Sequence, residues 1–214
     1  MSAALKDTLE AGLQSLGLTL DDRQIEQLLA HQALMAKWTR VYNLTALRDP
    51  QEMLTHHLLD CLAAVPALRR RLGETSQQVL DVGAGAGLPG VAWAIVQPGW
   101  QVTCVDAVAK KATFIRQVAA ELGLPNLRAE HARVEDLAPQ PWTLITSRAF
   151  ASLPDFIHLT RPLLAPGGWW VAMKGRAPED EQAGLPADVA VEAIEALAVP
   201  GLAAERCLVW MRPA

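Results

Sequence analysis

Cysteine is scarce in this sequence of 214 residues, and long apolar runs and a surplus of positive charge are missing altogether. The three cysteines, Cys61, Cys104 and Cys207, stand far apart, without a C-x-x-C pair or a Cys/His cluster. That argues against a disulfide framework and against a bound metal. Cys104 lies in an apolar, strand-like run and reads as core. No stretch approaches the roughly 20 apolar residues of a membrane-spanning helix. The opening "MSAALKDTLE" has acids and no apolar h-region, so a secretory signal is not expected. A reduced, cytoplasmic, monomeric protein is the expectation, and the sequon Asn43-Leu44-Thr45 then carries no glycan. Nineteen Lys and Arg against 23 Asp and Glu give a net charge of −4. A nucleic-acid partner would therefore have to be met by a local basic patch.

What is present is ordinary globular material: 51% hydrophobic and 20% charged residues, enough for one domain and a small extension. Residues 1–77 read as helices. Asp21 and Gln24 form a capping box before Ile25, Leu28, Leu29 and Met35, in a helix expected to run to about Trp38. A polar break, "TRVYNLTALRDP", follows. Pro50 then opens a helix with Met53, Leu54, Leu58 and Leu62 on one face. From Gln78 the pattern changes to short apolar runs alternating with helices. "QVLDV", "WQVTCVD", "LRAEH", "WTLITSR" and "WWVAMKG" read as five strands, and two more β-like runs lie near Val189 and Leu208. Ser152 and Asp155 cap a helix after the fourth strand. Alternating strands and helices predict an α/β fold over residues 78–214, with a parallel sheet and a ligand cleft at its carboxyl edge. Residues 1–77 would form a helical cap beside that cleft.

The first strand runs into "VLDVGAGAGLPG". Gly85, Gly87 and Gly90 spell the G-x-G-x-x-G of a dinucleotide loop, and Gly83 with Gly85 offers a second register. No Gly-Lys-Ser/Thr follows, which excludes a P-loop. Asp106, about twenty residues on at the end of the second strand, suits a ribose hydroxyl. An NAD-dependent oxidoreductase would use these features. Asp81 argues otherwise. A carboxylate at the strand tip repels a diphosphate, by on the order of 1 kcal/mol at surface dielectrics, and attracts an ammonium group. S-adenosylmethionine has an amino group, a sulfonium and no phosphate. Asp81 at its methionine end and Asp106 on its ribose make one consistent site. "VLDVGAGAG" and the later "PGG" also resemble class I S-adenosylmethionine-dependent methyltransferases, a Rossmann-like fold with a mostly parallel seven-stranded sheet.

The loop after the fourth strand reads "SRAFASL". It has neither an Asn/Asp-Pro-Pro clamp for an exocyclic amine nor a Pro-Cys nucleophile. A guanine N7 atom needs neither, because its lone pair is free and it carries no proton; alignment alone can supply much of the rate. "WTRVYNLTALRDPQEMLTHHLLDCL", "LDVGAGAGLPG", "SRAFASL" and "VAMKG", in that order from Trp38 to Gly175, resemble the bacterial 16S ribosomal RNA (guanine-N7) methyltransferase family, also called glucose-inhibited division protein B. The resemblance implies S-adenosylmethionine as donor and a guanine in the 530 loop of small-subunit rRNA as acceptor; the acidic net charge, a poor match for free RNA, points to the assembled small ribosomal subunit as the substrate. The resemblance also implies cofactor contacts at Gly83, Gly85, Leu88, Asp106, Ala107, Val134, Glu135 and Arg148, beside Asp81. Ala84 and Ala107 stand where the family usually has Thr and Ser, which puts side-chain hydrogen bonds there in doubt.

Arg148 is expected in the cleft, on the cofactor carboxylate, an RNA phosphate or the guanine edge; otherwise it would pair with Glu135 or Asp136. Asn43 is expected near the acceptor, with Tyr42 stacking on a base; the alternative is a loop that ties the cap to the core. Lys110, Lys111, Arg116, Lys174 and Arg176 are the candidate RNA contacts. The resemblance draws attention to His57 and Asp60 as well. A ribosome-associated module that binds S-adenosylmethionine without turnover remains a further reading.

Overall fold

The apolar run of β1 (Gln78–Val82) is buried at four of its five positions, which only a central strand covered on both faces allows. It pairs in parallel with β2 (Gln101–Asp106) on one side and β4 (Trp142–Arg148) on the other. With β3 (Leu127–His131), β5 (Leu164–Lys174), β6 (Val189–Ala196) and β7 (Cys207–Pro213) the order is β3-β2-β1-β4-β5-β7-β6. The first five strands are parallel; β7 is antiparallel to both β5 and β6. This computed structural model describes residues 3–73 and 75–214. The mostly parallel seven-stranded sheet and Rossmann-like α/β architecture are as the sequence pattern predicts.

The amino-terminal helices are α1 (Ala3–Ser15) and α2 (Asp22–Tyr42). The capping box is present: Asp21 Oδ1 accepts from the Gln24 amide at 2.8 Å, and Gln24 Oε1 from the Asp21 amide at 3.1 Å. The helix runs four residues past Trp38, because "TRVY" contains no breaker and Thr39 is buried on its inner face. It stops at Asn43, which is left-handed (φ 51°) and donates its amide to Thr39 O. Asp49 then caps α3 (Pro50–Met53), its Oδ1 accepting from the Gln51 and Glu52 amides at 2.9 Å each. The chain widens into a π-helix over Leu54–Leu59 before α4 (Asp60–Ala63) and α5 (Val65–Leu72). Met53, Leu54, Leu58 and Leu62 all point inward.

Helices α6 (Gly90–Val96) and α7 (Ala109–Glu121) cover one sheet face, and α8 (Leu153–Thr160) the other. The amino-terminal helices join the first of these layers in one apolar cluster. Polar bonds pin them down: Gln24 Nε2 donates to Ile95 O, Gln27 Nε2 to Leu122 O, and the Trp93 indole to Cys61 O. His31, fully buried, places Nε2 2.9 Å from Ala86 O in the glycine loop. A short α9 (Glu179–Gln182) follows β5.

Candidate functional site

The glycine loop is shaped by where the chain must go next. Gly83 and Ala84 fold back to donate their amides to Val105 O at the end of β2. Gly83, Gly85 and Gly87 have φ of 66°, 60° and 77°, a conformation cheap only for glycine. A Cβ on Gly90 would lie 2.5 Å from Cys104 Sγ, so the start of α6 rests directly on β2. A Cβ on Gly83 would lie 2.5 Å from the Phe150 ring, which makes Gly83 the close approach on the cleft side.

A cavity of about 200 Å³ opens at the carboxyl ends of β1 and β2. Gly83, Asp106, Ala107, Val134 and Glu135 line it, five of the residues expected to hold the cofactor, together with Phe150. Asp106 is fixed in place: Oδ2 accepts from the Gly85 amide at 3.0 Å and Oδ1 from the Val108 amide at 2.9 Å, with Lys111 Nζ at 3.6 Å. A carboxylate has about four acceptor sites, so capacity remains for a ribose hydroxyl. Gly85 contributes through that bond rather than as cavity wall. Leu88 is buried beneath the loop and does not line the cavity. The Glu135 side chain is held by Arg133 at 3.0 Å; a hydrogen bond to its own backbone, and secondarily that to Arg133, lower its pKa.

Asp81 requires a correction. It does not face the cleft. It is fully buried, Oδ2 accepts from the Gly90 amide at 2.8 Å, and Oδ1 has no partner. The glycine loop folds back over the strand tip and covers it, so the carboxylate braces β1 to the start of α6. The charge argument against a diphosphate loses its premise, and the choice of cofactor passes to other evidence.

A second cavity, of about 440 Å³, lies on the far side of Ala149. Arg148 lines it, paired with neither Glu135 nor Asp136. Its Nη1 donates to Asp60 Oδ2 and to His56 O, both at 3.0 Å. Arg206 Nε donates to the other Asp60 oxygen at 2.8 Å. Arg148 Nη2 lies 3.4 Å from His57 Nδ1, and His57 Nε2 2.7 Å from Thr45 Oγ1. Burial and the Arg148 charge push the His57 pKa down to about 4, so the ring is neutral at pH 7. Two guanidinium groups share one carboxylate, leaving this cavity wall net positive. Lys174 and Gly175 complete the rim beside Arg206. Arg206 carried no signal in the sequence; Phe150 and Thr45 lay within the motifs "SRAFASL" and "YNLT" without a role of their own.

Residues 24–209 match the family model for rRNA small subunit methyltransferase G, GidB. The chain belongs to this family. Ribosomal RNA small subunit methyltransferase G of Leptothrix cholodnii is 59% identical over 97% of this chain and 95% of its own. That of Polaromonas naphthalenivorans is 57% identical over 98% and 96%. Among solved structures, Aeropyrum pernix fibrillarin, crystallised with natively bound S-adenosylmethionine, shares the fold at a TM-score of 0.56, with 10% identity over 71% of this chain and 73% of that one.

Other expected site residues of this family member lie outside the two cavities or are already paired. Asn43 lines neither cavity; it ends α2, and its Oδ1 accepts from Arg48 Nη2 at 2.8 Å. That bond lies within the loop itself, so Asn43 caps the helix and orders the loop. Tyr42 packs against Trp38, ring centroids 5.0 Å apart. Lys174 is bound by both Glu181 oxygens, at 2.8 and 3.0 Å, and Lys111 by Asp106. Lys110, Arg116 and Arg176 are exposed, although Arg116 Nε donates to Ala129 O.

The buried Asp81 gives a pH test. Burial raises its pKa from 3.8 to about 7, against the pull of the Gly90 amide and Arg148. A raised pKa means that the folded state keeps a proton the unfolded chain releases. This stabilisation is full below about pH 3.8 and is lost as pH rises through about 7. His31 and His57, both lowered to about 4, act oppositely: their contribution holds above about 6.5 and is lost as pH falls through 4. The expected result is that Asp81→Asn removes a loss on the order of 3 kcal/mol between pH 5 and 8. Thermal melts of both proteins across that range check it; parallel profiles would contradict it.

Proposed function

We propose that this protein transfers the methyl group of S-adenosylmethionine to N7 of a guanine in the 530 loop of 16S rRNA, within the small ribosomal subunit. Family membership carries the coarser statement: an rRNA methyltransferase that takes its methyl group from S-adenosylmethionine. The finer reading rests on one observation above all, that the second cavity is lined by cations and that, of its candidate bases Asp60, His57 and His56, only the His56 imidazole stands uncommitted. Asp60 is committed to two guanidinium groups. His57, with a pKa near 4, is a poor proton acceptor at neutral pH. Guanine N7 has no proton to lose, so a site that only aligns acceptor and donor suffices for it.

In this reading Asp106 holds the donor, which supplies the methyl group, and the side-chain-free Gly83–Gly85 loop, its amides bonded to Val105 and Asp106, packs closely against it. Arg148, fixed by Asp60, orients the acceptor nucleotide through its remaining N–H groups, and Arg206 neutralises backbone phosphate. Residues 1–77 act as a cap whose π-helix supplies His57, and whose α4 supplies Asp60, to the acceptor side. Lys110, Arg116 and Arg176 contribute to the RNA surface. A ribosomal substrate implies action in the cytoplasm, and nothing in the scheme requires a second copy of the chain.

The acidic net charge supports a substrate presented by an assembled particle rather than free RNA. Methyl-tritiated S-adenosylmethionine, incubated with small subunits and separately with naked 16S rRNA, tests this. Expected is N7-methylguanine in the 530 loop, formed faster on subunits. Equal rates on naked RNA would remove the particle requirement, and label on another base would overturn the acceptor. Cofactor binding without transfer would favour the non-catalytic module. NAD binding without S-adenosylmethionine binding would revive the oxidoreductase.

A further inference from the structure

Phe150 differs from the other phenylalanines. Phe114 and Phe156 are 0% and 1% exposed, whereas Phe150 is 37% exposed. It follows Ala149, whose backbone is left-handed at φ 55°. That is uncommon for a residue with a Cβ and is retained where a surrounding site demands it. The turn divides the strand end between the two cavities: Arg148 and Ala149 line the second, Phe150 the first. The ring rests on Gly83, whose missing side chain makes room for it. In the sheet, β4 and β2 flank β1 on opposite sides. Phe150 therefore approaches the loop from the β4 side, away from Asp106 at the end of β2.

We propose that Phe150 is a substrate-binding residue, a stacking platform for the acceptor purine where the two cavities meet. The inference rests on the acceptor being a base, as in the proposed function. A methyl group passed between the cavities has to cross at the Arg148–Phe150 turn. An acceptor arriving there needs one face fixed so that its in-plane lone pair points at the donor. A flat, half-exposed ring does this without competing for hydrogen bonds, and every base has a π-face to offer it. Arg148 beside it is left to read or neutralise the edge. Among the described Phe, Tyr and Trp residues, Tyr42 carries the other exposed ring; it packs on Trp38 and lines neither cavity.

Phe150→Ala, Phe150→Leu and Phe150→Tyr separate stacking from bulk. The measurements are calorimetric affinity for S-adenosylhomocysteine and steady-state methylation of small subunits. Ala and Leu are expected to lower kcat/KM for subunits by on the order of 10- to 100-fold. Most of that loss should fall in KM for the subunit, with cofactor affinity moved less than about threefold, and Tyr should restore activity. Three results would overturn the proposal: a cofactor-affinity loss in Ala as large as the activity loss, Leu as active as Tyr, or Ala as active as the unmodified enzyme. The unmodified enzyme's own product keeps the two readings apart. If it labels a base other than guanine, the proposed acceptor fails while the stacking test still runs on that base.

Discussion

Asp60→Ala is expected to destabilise the protein by about 3–5 kcal/mol, the usual consequence of stripping one partner from a buried ionic cluster. Asp60 is 2% exposed and accepts from Arg148 at 3.0 Å and from Arg206 at 2.8 Å. Removing it leaves two largely buried guanidinium groups facing each other, with the His56 and Glu205 carbonyls and neutral His57 as their remaining neighbours. Urea unfolding followed by far-UV circular dichroism measures the loss. Asp60→Asn keeps the shape and one acceptor oxygen, so it should fall between. Arg206→Ala should cost less, because its side chain is nearer to solvent. The paired replacement Asp60→Leu with Arg148→Met removes both charges and should recover much of the stability while remaining inactive. That separates the stability of the cluster from its use. A loss below about 1 kcal/mol for Asp60→Ala would mean that water already shares the pair.

Local signals in the sequence carried most of the fold. The capping residues Asp21 and Ser152 each mark a helix start, and each makes the expected side-chain bond; Pro50 opens α3 as its position suggests, and Asp49 before it is the cap the structure adds. The alternation of buried strands with helices gave the parallel sheet. The loop glycines and Asp106 were legible because short-range geometry demands them. Two kinds of information were not legible. One is burial at a strand tip: the sequence places Asp81 beside the loop but does not say that the loop folds back over it. The other is the long-range pairing that builds the second cavity. Arg148 and Asp60 are 88 residues apart, and Arg206 and Asp60 are 146 apart. Nothing in the local pattern links them. The π-helix was hidden too, since Leu54, Leu58 and Leu62 keep an i, i+4 spacing that α-helical periodicity already explains.

Asp106→Ala is expected to weaken binding of S-adenosylmethionine by on the order of 100-fold, a loss near 3 kcal/mol. Two contributions add. A charge-assisted hydrogen bond donated by a ribose hydroxyl to the carboxylate is worth roughly 1.5–3 kcal/mol. The second is order in the loop. Asp106 holds the Gly85 amide at 3.0 Å and the Val108 amide at 2.9 Å, so it fixes both the glycine loop and the turn into α7. Gly83, Gly85 and Gly87 all have positive φ and no side chains to restrain them. Without that anchor the ligand must bear the cost of ordering them. Isothermal titration measures the affinity, and hydrogen exchange at Gly85 reads the loop independently. Lys111→Ala is the control, since its half-exposed ion pair with Asp106 at 3.6 Å should matter by no more than about twofold. Asp106→Asn keeps one acceptor oxygen and should bind more tightly than Ala and less tightly than the native residue. Faster exchange at Gly85 with unchanged affinity would show that Asp106 orders the loop without touching the ribose. The nucleoside grip would then belong to the backbone at Ala107 and Val134.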